Sequence, residues 1–172
     1  MRFKYINDNV HKTKQPKDIV YLDTNIISFY FDSMSEIKFM REATRKWWSQ
    51  KSGEYYICTS VAVERELKRG NYYHQSECID LVNKIAVLPG DNKEIDQIAR
   101  YYIEHLLAPK ENIEEFRGDA IHLAICAFYK VDFLLTWNLK HLANVNKLRQ
   151  LKIMNARMDL TTPQIVTPDQ LL

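Results

Sequence analysis

The sequence lacks an apolar stretch long enough to cross a membrane, for which a helix needs ~20 consecutive apolar residues. Its first residues are polar and basic, without the apolar segment of a secretory signal. It also lacks internal repeats, low-complexity tracts and any linker that divides the chain. We therefore expect one soluble, cytoplasmic domain with no membrane partner.

Cysteine is scarce, and its distribution argues against disulfides and a zinc site. The three cysteines lie in apolar runs without metal-ligand spacing: Cys58, Cys78 and Cys126. They are typical of small core residues in a reducing compartment. No Ser-His-Asp or Cys-His set is evident, so no side-chain nucleophile is expected.

Positive and negative residues are present in nearly equal numbers, 24 Lys or Arg against 22 Asp or Glu. The formal charge is +2, too small by itself to indicate a nucleic-acid-binding protein. Cations are concentrated in two segments, residues 1–17 and 138–157, each with five Lys or Arg and at most one acid. Such clusters can contact phosphates, but a solvated basic surface is the commoner outcome.

Strands alternate with helices along the chain, whose 172 residues suffice for one domain with a sizeable core. Apolar and β-branched runs predict strands at Ile19–Leu22, Tyr55–Thr59, Ala86–Leu88 and Phe133–Leu135, and near Met158–Thr161. This alternation predicts an α/β fold, a three-layer α/β/α sandwich with a mainly parallel central sheet.

Capping and breaking residues set the expected ends of the helices. Caps are expected at Ser33 or Ser35, at Ser60 and at Asp91, and helix ends at Gly53 and Gly70. Further helices should open at about Tyr73, at Gly118-Asp119 and at Leu139, with a loop over 108–117. The helix Ala120–Tyr129 is apolar nearly all round and should be buried.

Three acids occupy positions where ligand sites form. Asp23 ends the first strand, and sites in open α/β sheets lie beyond the carboxyl ends of strands. Glu66 lies on the helix after strand two, and Asp119 opens the buried helix. Each acid has a structural alternative: Asp23 and Asp119 as helix caps, and Glu66 as a solvated residue.

The residues around Asp119 on its helix favour a chemical role for this acid. His122 is three residues on and shares its face of a helix otherwise built of Ala, Ile, Leu and Cys. Both residues need a polar partner there, because an unpaired buried charge is costly. A divalent cation such as Mg²⁺ or Mn²⁺ is one such partner, since it takes several oxygen ligands.

Four sequence blocks follow the order and spacing of a known family. They are Leu22-Asp23-Thr24-Asn25; Thr59-Ser60 with Glu66-Leu67 and Gly70; Asp119-Ala120-Ile121-His122-Leu123-Ala124; and Leu134-Leu135-Thr136-Trp137-Asn138-Leu139-Lys140-His141. Together they resemble PIN-domain ribonucleases, which include the VapC toxins of prokaryotic toxin–antitoxin pairs. The last block resembles a subgroup with a Trp-Asn-x-x-His signature.

The resemblance implies how the chain is divided. A single PIN-like domain would span 1–172, with an N-terminal extension at 1–18, a PIN core at 19–145, and a C-terminal strand and tail at 146–172. Asp132 begins the fourth strand and should lie at its far end, away from the cleft.

The resemblance also implies a metal-dependent endoribonuclease that leaves 5′-phosphate and 3′-hydroxyl ends on RNA. Asp23 and Asp119 would hold one or two Mg²⁺ or Mn²⁺ ions, and Glu66 would bind metal or orient water. Glu66 is preferred to Glu64 because it lies six residues after Ser60 and is followed by Leu67. The two acids point about 200° apart round a helix, so both cannot enter the same site. A bound metal activates water and neutralises phosphoryl charge, so no protein nucleophile is required.

Further residues are implied around the acids. The groups expected to orient the carboxylates are Thr24, Asn25, Thr136 and His122. Asn138 stands where many family members carry a fourth acid; its carbonyl oxygen can bind metal, but without charge a second ion binds weakly or not at all. Lys140 and His141 are candidates for contact with RNA phosphate, and a solvated surface position suits His141 equally.

The family's pattern implies three partners: an RNA substrate, a second copy in a homodimer, and an antitoxin whose peptide lies over the acidic cleft. Ten Tyr, seven Phe and three Trp supply surplus apolar surface for a dimer. Trp47 and Trp48 are adjacent on a helix, so either one is exposed at an interface or both pack at the edge of the core.

Two other functions compete with the nuclease. The charge lost at Asn138 favours a catalytically weak or inactive PIN-like module that binds RNA or protein, and such a module should hold RNA without Mg²⁺ or Mn²⁺. The third is a phosphatase with a strand-end aspartate nucleophile. That chemistry commonly adds an acid two residues on, and Asn25 at that position argues against it.

Overall fold

The computed structural model describes residues 16–105, 113–138 and 145–172. Lys140, His141 and nearly all of the predicted N-terminal extension lie outside these residues. So do the predicted helix start at Leu139 and the first part of the predicted loop over 108–117. Within the described chain, no helix is both long and apolar enough to span a bilayer.

Five strands form one sheet in which every neighbouring pair is parallel. They are β1 (Ile19–Leu22), β2 (Tyr56–Ser60), β3 (Ala86–Leu88), β4 (Phe133–Leu135) and β5 (Gln164–Val166). Their order across the sheet is β3-β2-β1-β4-β5. The central strand, β1, buries Val20, Tyr21 and Leu22 completely, as a parallel sheet covered on both faces requires.

Seven α-helices of the described chain flank this sheet. They are α1 (Thr24–Phe31), α2 (Lys38–Gln50), α3 (Val61–Arg69), α4 (Gln75–Val82), α5 (Lys93–His105), α6 (Ile113–Phe128) and α7 (Val145–Arg157). Apolar residues at helical spacing hold each helix to the core, such as Ile95, Ile98 and Tyr102 of α5. The predicted α/β sandwich with a parallel sheet is therefore confirmed.

The strand order fixes where a ligand site can lie. The chain runs outward from β1 through β2 to β3 and then returns to β4 on the other side of β1. A crevice opens at the carboxyl ends of β1 and β4, because the connections after these two strands leave in opposite directions. Asp132 lies at the opposite end, where its carboxylate accepts a hydrogen bond from the Ile19 amide at 2.8 Å. Its predicted position is confirmed.

The core contains the residues predicted to be internal. All three cysteines are free and buried, and burial raises the pKa of the Cys58 thiol to about 12. Trp47 is fully buried, and the half-buried Trp48 packs against the same core. Both rings therefore lie at the core, which is the second of the two arrangements expected for this pair.

The start of α6 corrects a prediction. The helix begins at Ile113, so the predicted loop is wrong from that residue onward, and Asp119 lies inside the helix rather than at its opening. Gly118 does not end the helix, because a glycine in a helix interior costs only ~1 kcal/mol.

Other helix boundaries also differ from the predictions. Ile37 precedes α2 without a side-chain cap, so the caps predicted at Ser33 and Ser35 are wrong. Asn92 accepts the Glu94 amide at the start of α5, while Asp91 pairs with Arg65 at 2.7 Å. The helix that Gly53 was expected to end stops at Gln50, and α4 opens at Gln75 rather than Tyr73. The ion pair with Arg65 accounts for the cap at Asn92 rather than Asp91. A difference of one or two residues at a helix end is ordinary fraying.

The last strand lies further along the chain than predicted. Residues Met158–Thr161 were expected to form it, but α7 continues to Arg157, and Asp159 has a positive φ of 55° just beyond the helix end. Strand β5 begins after Pro163, which cannot donate to a ladder. It joins the sheet where the Gln164 amide donates to the Asp132 carbonyl at 2.8 Å.

We expect Asn155→Ala to lower the free energy of unfolding by about 3 kcal/mol, because buried partners lose their hydrogen bonds. The fully buried Asn155 accepts from the Tyr102 hydroxyl and donates to Thr161 O at 3.0 Å and Thr162 Oγ1 at 2.9 Å. Urea denaturation measures the change. Lys152→Ala, at an exposed position of the same helix, is the control, and equal losses in both variants would contradict the expectation.

Candidate metal centre

Asp23 is held at the end of β1 by hydrogen bonds to both carboxylate oxygens. Its Oδ1 accepts the Thr24 amide at 2.7 Å and caps α1. Its Oδ2 accepts from Asn25 Nδ2 at 2.6 Å and from Thr136 Oγ1 at 2.5 Å. The residue is only 6% exposed. Asp23 is therefore a helix cap and a member of the cleft at once.

Glu66 reaches the same cleft from α3. Its carboxylate accepts from the Thr24 hydroxyl and lies 3.3 Å from Nε2 of His122. Glu64, two positions earlier, pairs instead with Lys68. The helical offset thus directs Glu66 into the cleft and Glu64 to the outer surface, the arrangement expected from the sequence.

Asp119 and His122 come from one face of α6 and are both buried. His122 Nε2 lies 3.8 Å from Asp23 Oδ1, in addition to its contact with Glu66. The side chain of Asn138, just beyond β4, donates from Nδ2 to Asp119 Oδ1 at 2.9 Å. Asn138 therefore serves as a donor to an acid of the cleft.

A buried chain of hydrogen bonds holds the imidazole of His122 at Nδ1, the ring nitrogen that does not face Glu66. The hydroxyl of Tyr21 lies 2.7 Å from His122 Nδ1 and 2.6 Å from Ser60 Oγ. Ser60 Oγ also accepts the Ala62 amide as the predicted cap of α3, at 3.2 Å. A partner at Nδ1 sets the orientation of the ring and the proton arrangement at Nε2.

The electrostatics of the cleft favour charged forms. Burial alone lowers the pKa of His122, but the hydrogen bond with Glu66 and the Asp23, Glu66 and Asp119 carboxylates raise it by more. Burial alone raises the pKa of Glu66, and the interactions with His122 and Thr24 lower it by more. Burial raises the pKa of Tyr21 well above its usual value, so that its hydroxyl stays neutral.

These groups surround a cleft of about 260 Å³. Its lining in the described chain contains three carboxylates and no Lys or Arg: Asp23, Thr24, Asn25, Ser28, Glu66, Gly118, Asp119, His122 and Asn138. A Cβ added at Gly118 would lie 3.3 Å from Glu66 Oε1, which is a tight contact. Glycine therefore leaves room beside this carboxylate.

The donor set fits a divalent cation. Asp23 and Glu66 offer carboxylate oxygens, and these oxygens and a ring nitrogen of His122 lie within 4.8 Å of one another. Asp119 lines the same cleft. Carboxylate oxygens are the donors that Mg²⁺ and Mn²⁺ prefer. A positive ion would also offset the mutual repulsion of the three acids.

Most of the residues predicted for the site lie together. The three acids, His122 and Asn138 share the cleft, and Thr24, Asn25 and Thr136 donate hydrogen bonds to the acids. Tyr21, Ser28 and Gly118 were not predicted as site residues. Tyr21 had a signal in the sequence, because it lies two residues before Asp23 and alternation puts both on the same face of β1.

No family model and no curated protein matches this sequence. Among solved structures, it is similar to a toxin–antitoxin complex from Klebsiella pneumoniae, with a TM-score of 0.54 and 17% identity over 87% of this chain and 97% of that one. It is also similar to VapBC2 from Rickettsia felis bound to a promoter DNA fragment, with a TM-score of 0.53 and 11% identity over 87% and 98%.

The chain has a VapC-like fold. Its parallel sheet and flanking helices match a PIN-like α/β sandwich. A third structure, the tyrosyl-tRNA synthetase of Archaeoglobus fulgidus with L-tyrosine, aligns with a TM-score of 0.50 and 10% identity over 89% of this chain and 55% of its own. At identities of 10–17% the TM-scores show a shared fold alone, and a fold by itself does not define the chemistry.

We expect Tyr21→Phe to destabilise the protein by about 1–3 kcal/mol, because His122 Nδ1 and Ser60 Oγ lose a buried partner. Urea denaturation followed by circular dichroism measures the loss. Tyr55→Phe removes a hydroxyl from a less buried ring as the control. Equal stability of the Tyr21→Phe variant and the unchanged protein would show that the buried chain contributes nothing.

Proposed function

We propose that this protein is a Mg²⁺- or Mn²⁺-dependent endoribonuclease and the toxin of a toxin–antitoxin pair. The observation that carries the proposal is the convergence of Asp23, Glu66 and Asp119 in one cleft whose described lining has no Lys or Arg. Acids brought together from β1, α3 and α6 need a cation, and phosphodiester hydrolysis is a reaction that carboxylate-bound cations support. The VapC-like fold supports the same reaction class by analogy.

Asp23 and Asp119 are proposed as the main metal ligands. Asp23 is oriented by Thr24, Asn25 and Thr136, so its position is fixed before any ion binds. When bound, the metal lowers the pKa of a coordinated water and neutralises charge on the phosphoryl oxygens. The Asn138 donor on Asp119 adds no negative charge, which favours a single tightly bound ion over two.

Glu66 is proposed to orient the attacking water. Its carboxylate is held by the Thr24 hydroxyl and by His122 Nε2, and it borders the open space beside Gly118. A carboxylate with a lowered pKa stays ionised and accepts a hydrogen bond from water at neutral pH. His122, held at Nδ1 by Tyr21, keeps a proton on Nε2 facing Glu66.

An antitoxin is the proposed protein partner, and RNA the proposed substrate. The solved structures of similar fold include a toxin–antitoxin complex and a VapBC2 assembly. We extend this to an antitoxin segment that covers the acidic cleft, a homodimer, a cytoplasmic location, and membership of the subgroup with the Trp-Asn-x-x-His signature. Lys140 and His141 are kept as proposed RNA contacts on the sequence alone.

A PIN-like binding module without catalysis is the second candidate. The observation in its favour is that Asn138 donates to Asp119 in place of a fourth carboxylate. Such a module would bind RNA or protein without a divalent ion. Metal dependence of RNA cleavage separates the two candidates.

We expect wild-type protein to cut labelled single-stranded RNA with Mn²⁺ or Mg²⁺ and not with EDTA. The variants Asp23→Asn, Asp119→Asn and Glu66→Gln should each be slowed roughly 100-fold or more, because each removes charge from the reacting centre. Glu64→Gln is the matched control, since Glu64 lies on the same helix and pairs with Lys68 outside the cleft.

Cleavage that survives Asp23→Asn and Asp119→Asn would contradict the ligand assignment. If Glu64→Gln loses as much RNA hydrolysis as the three cleft variants do, the losses reflect a general effect on folding. RNA binding without any cleavage, equal with metal and with EDTA, would favour the binding module.

We expect Mn²⁺ at about 100 times its dissociation constant to stabilise the folded protein by about 2.7 kcal/mol. For a chain of this size the melting temperature should rise by roughly 5–10 °C. Differential scanning fluorimetry measures the rise without any substrate. The shift should vanish in Asp119→Asn and persist in Glu64→Gln, and an equal shift in both would place the ion elsewhere.

A further inference from the structure

An exposed aromatic ring packs against the residue that precedes Asn138 of the cleft. Phe39, on the first turn of α2, is 67% exposed, and its ring meets that of Trp137 edge to face with centroids 6.1 Å apart. Isolated exposed apolar residues are ordinary and indicate nothing by themselves. Phe39 differs because Trp137 directly precedes Asn138, a residue of the cleft lining.

Trp137 is held by the cleft through its backbone and by α2 through its side chain. Its amide donates to Asn25 Oδ1 at 2.9 Å, and Asn25 in turn donates to Asp23. Its indole Nε1 donates to Thr44 Oγ1 of α2 at 2.9 Å. The pair of rings therefore has a set position relative to Asp23, and little side-chain freedom of Trp137 is left to lose when a ligand binds.

The helix that carries Phe39 is basic. Between Lys38 and Gln50 it has four cations and one acid: Lys38, Arg41, Arg45 and Lys46 against Glu42. Lys46 is exposed and lies seven residues after Phe39, so it shares the face of the helix. An exposed ring together with cations is the combination that binds single-stranded nucleic acid, since bases stack and phosphates pair with the cations.

We propose that Phe39, backed by Trp137, is a stacking subsite for one unpaired nucleobase of the RNA next to the phosphate at the metal centre. The inference rests on the proposed function, because it takes RNA as the substrate. Only an unpaired base offers its flat face, so the subsite selects single-stranded over duplex RNA. Lys38 pairs with Glu42, and Arg41 and Arg45 donate to backbone carbonyls. The exposed Lys46 on the face of Phe39 favours a polyanion over an apolar surface of a second copy of this chain.

The test is binding of fluorescein-labelled oligo(A) RNA, measured by anisotropy with all proteins in an Asp119→Asn background to suppress cleavage. Phe39→Ala should weaken binding roughly tenfold, the loss expected for one base–aromatic stack. Phe39→Trp should retain it, because a larger ring still stacks. Tyr73→Ala removes a ring that is 91% exposed elsewhere and should leave affinity unchanged.

A second arm replaces single nucleotides of the oligomer with abasic ones. At one position the abasic nucleotide should lower the affinity of the protein with Phe39 by the same roughly tenfold factor. It should not lower the affinity of the Phe39→Ala protein further, since both changes remove the same stack. Equal affinity of the Phe39→Ala and parent proteins overturns the proposal. So does a change in sedimentation on Phe39→Ala without a change in RNA affinity, which would mark a protein–protein interface.

The two proposals fail separately. Metal-dependent cleavage by the unmodified protein with no effect of Phe39→Ala on binding or cleavage overturns the stacking subsite and leaves the nuclease intact. Phe39-dependent binding by a protein that never cleaves RNA supports the subsite and overturns the nuclease.

Discussion

The carboxylate of Asp23 is the group on which the rest of the cleft depends. It accepts hydrogen bonds from the start of α1, from Asn25 and from Thr136, so it joins the ends of β1 and β4. Asn25 extends the connection to the backbone of Trp137. A carboxylate held from several directions keeps its orientation when a charged ligand arrives, and preorganised binding needs that property.

Three acids in one cleft repel one another, and hydrogen-bond donors offset part of that repulsion. Thr24 and His122 serve Glu66, and Asn138 serves Asp119. Most of these donors are neutral, and among the described lining residues the imidazole alone can carry positive charge. Each ionised carboxylate has about four lone-pair positions, so capacity for a metal and a water remains.

Most of the sheet and the acids of the cleft could be predicted, because parallel strands bring their carboxyl ends to one edge. Asp119 was assigned to the wrong part of its helix and still to the correct cleft, since its relation to His122 depends on their spacing alone. The cap at Asn92 rather than Asp91 depends on a distant Arg65, which local sequence does not contain. The role of Tyr21 is not evident from the sequence, because a tyrosine in an apolar strand indicates packing until the partners of its hydroxyl are known.

The order of the strands also has a consequence for synthesis of the chain. Asp23 and the Thr136 that orients it are 113 residues apart, and β4 inserts beside β1 only after β2 and β3 have been made. Contacts of such long range form late, both in folding and on the ribosome. A nascent chain therefore carries Asp23 long before the cleft exists. The proposed nuclease activity would therefore be absent from a half-finished chain at the ribosome that is making it.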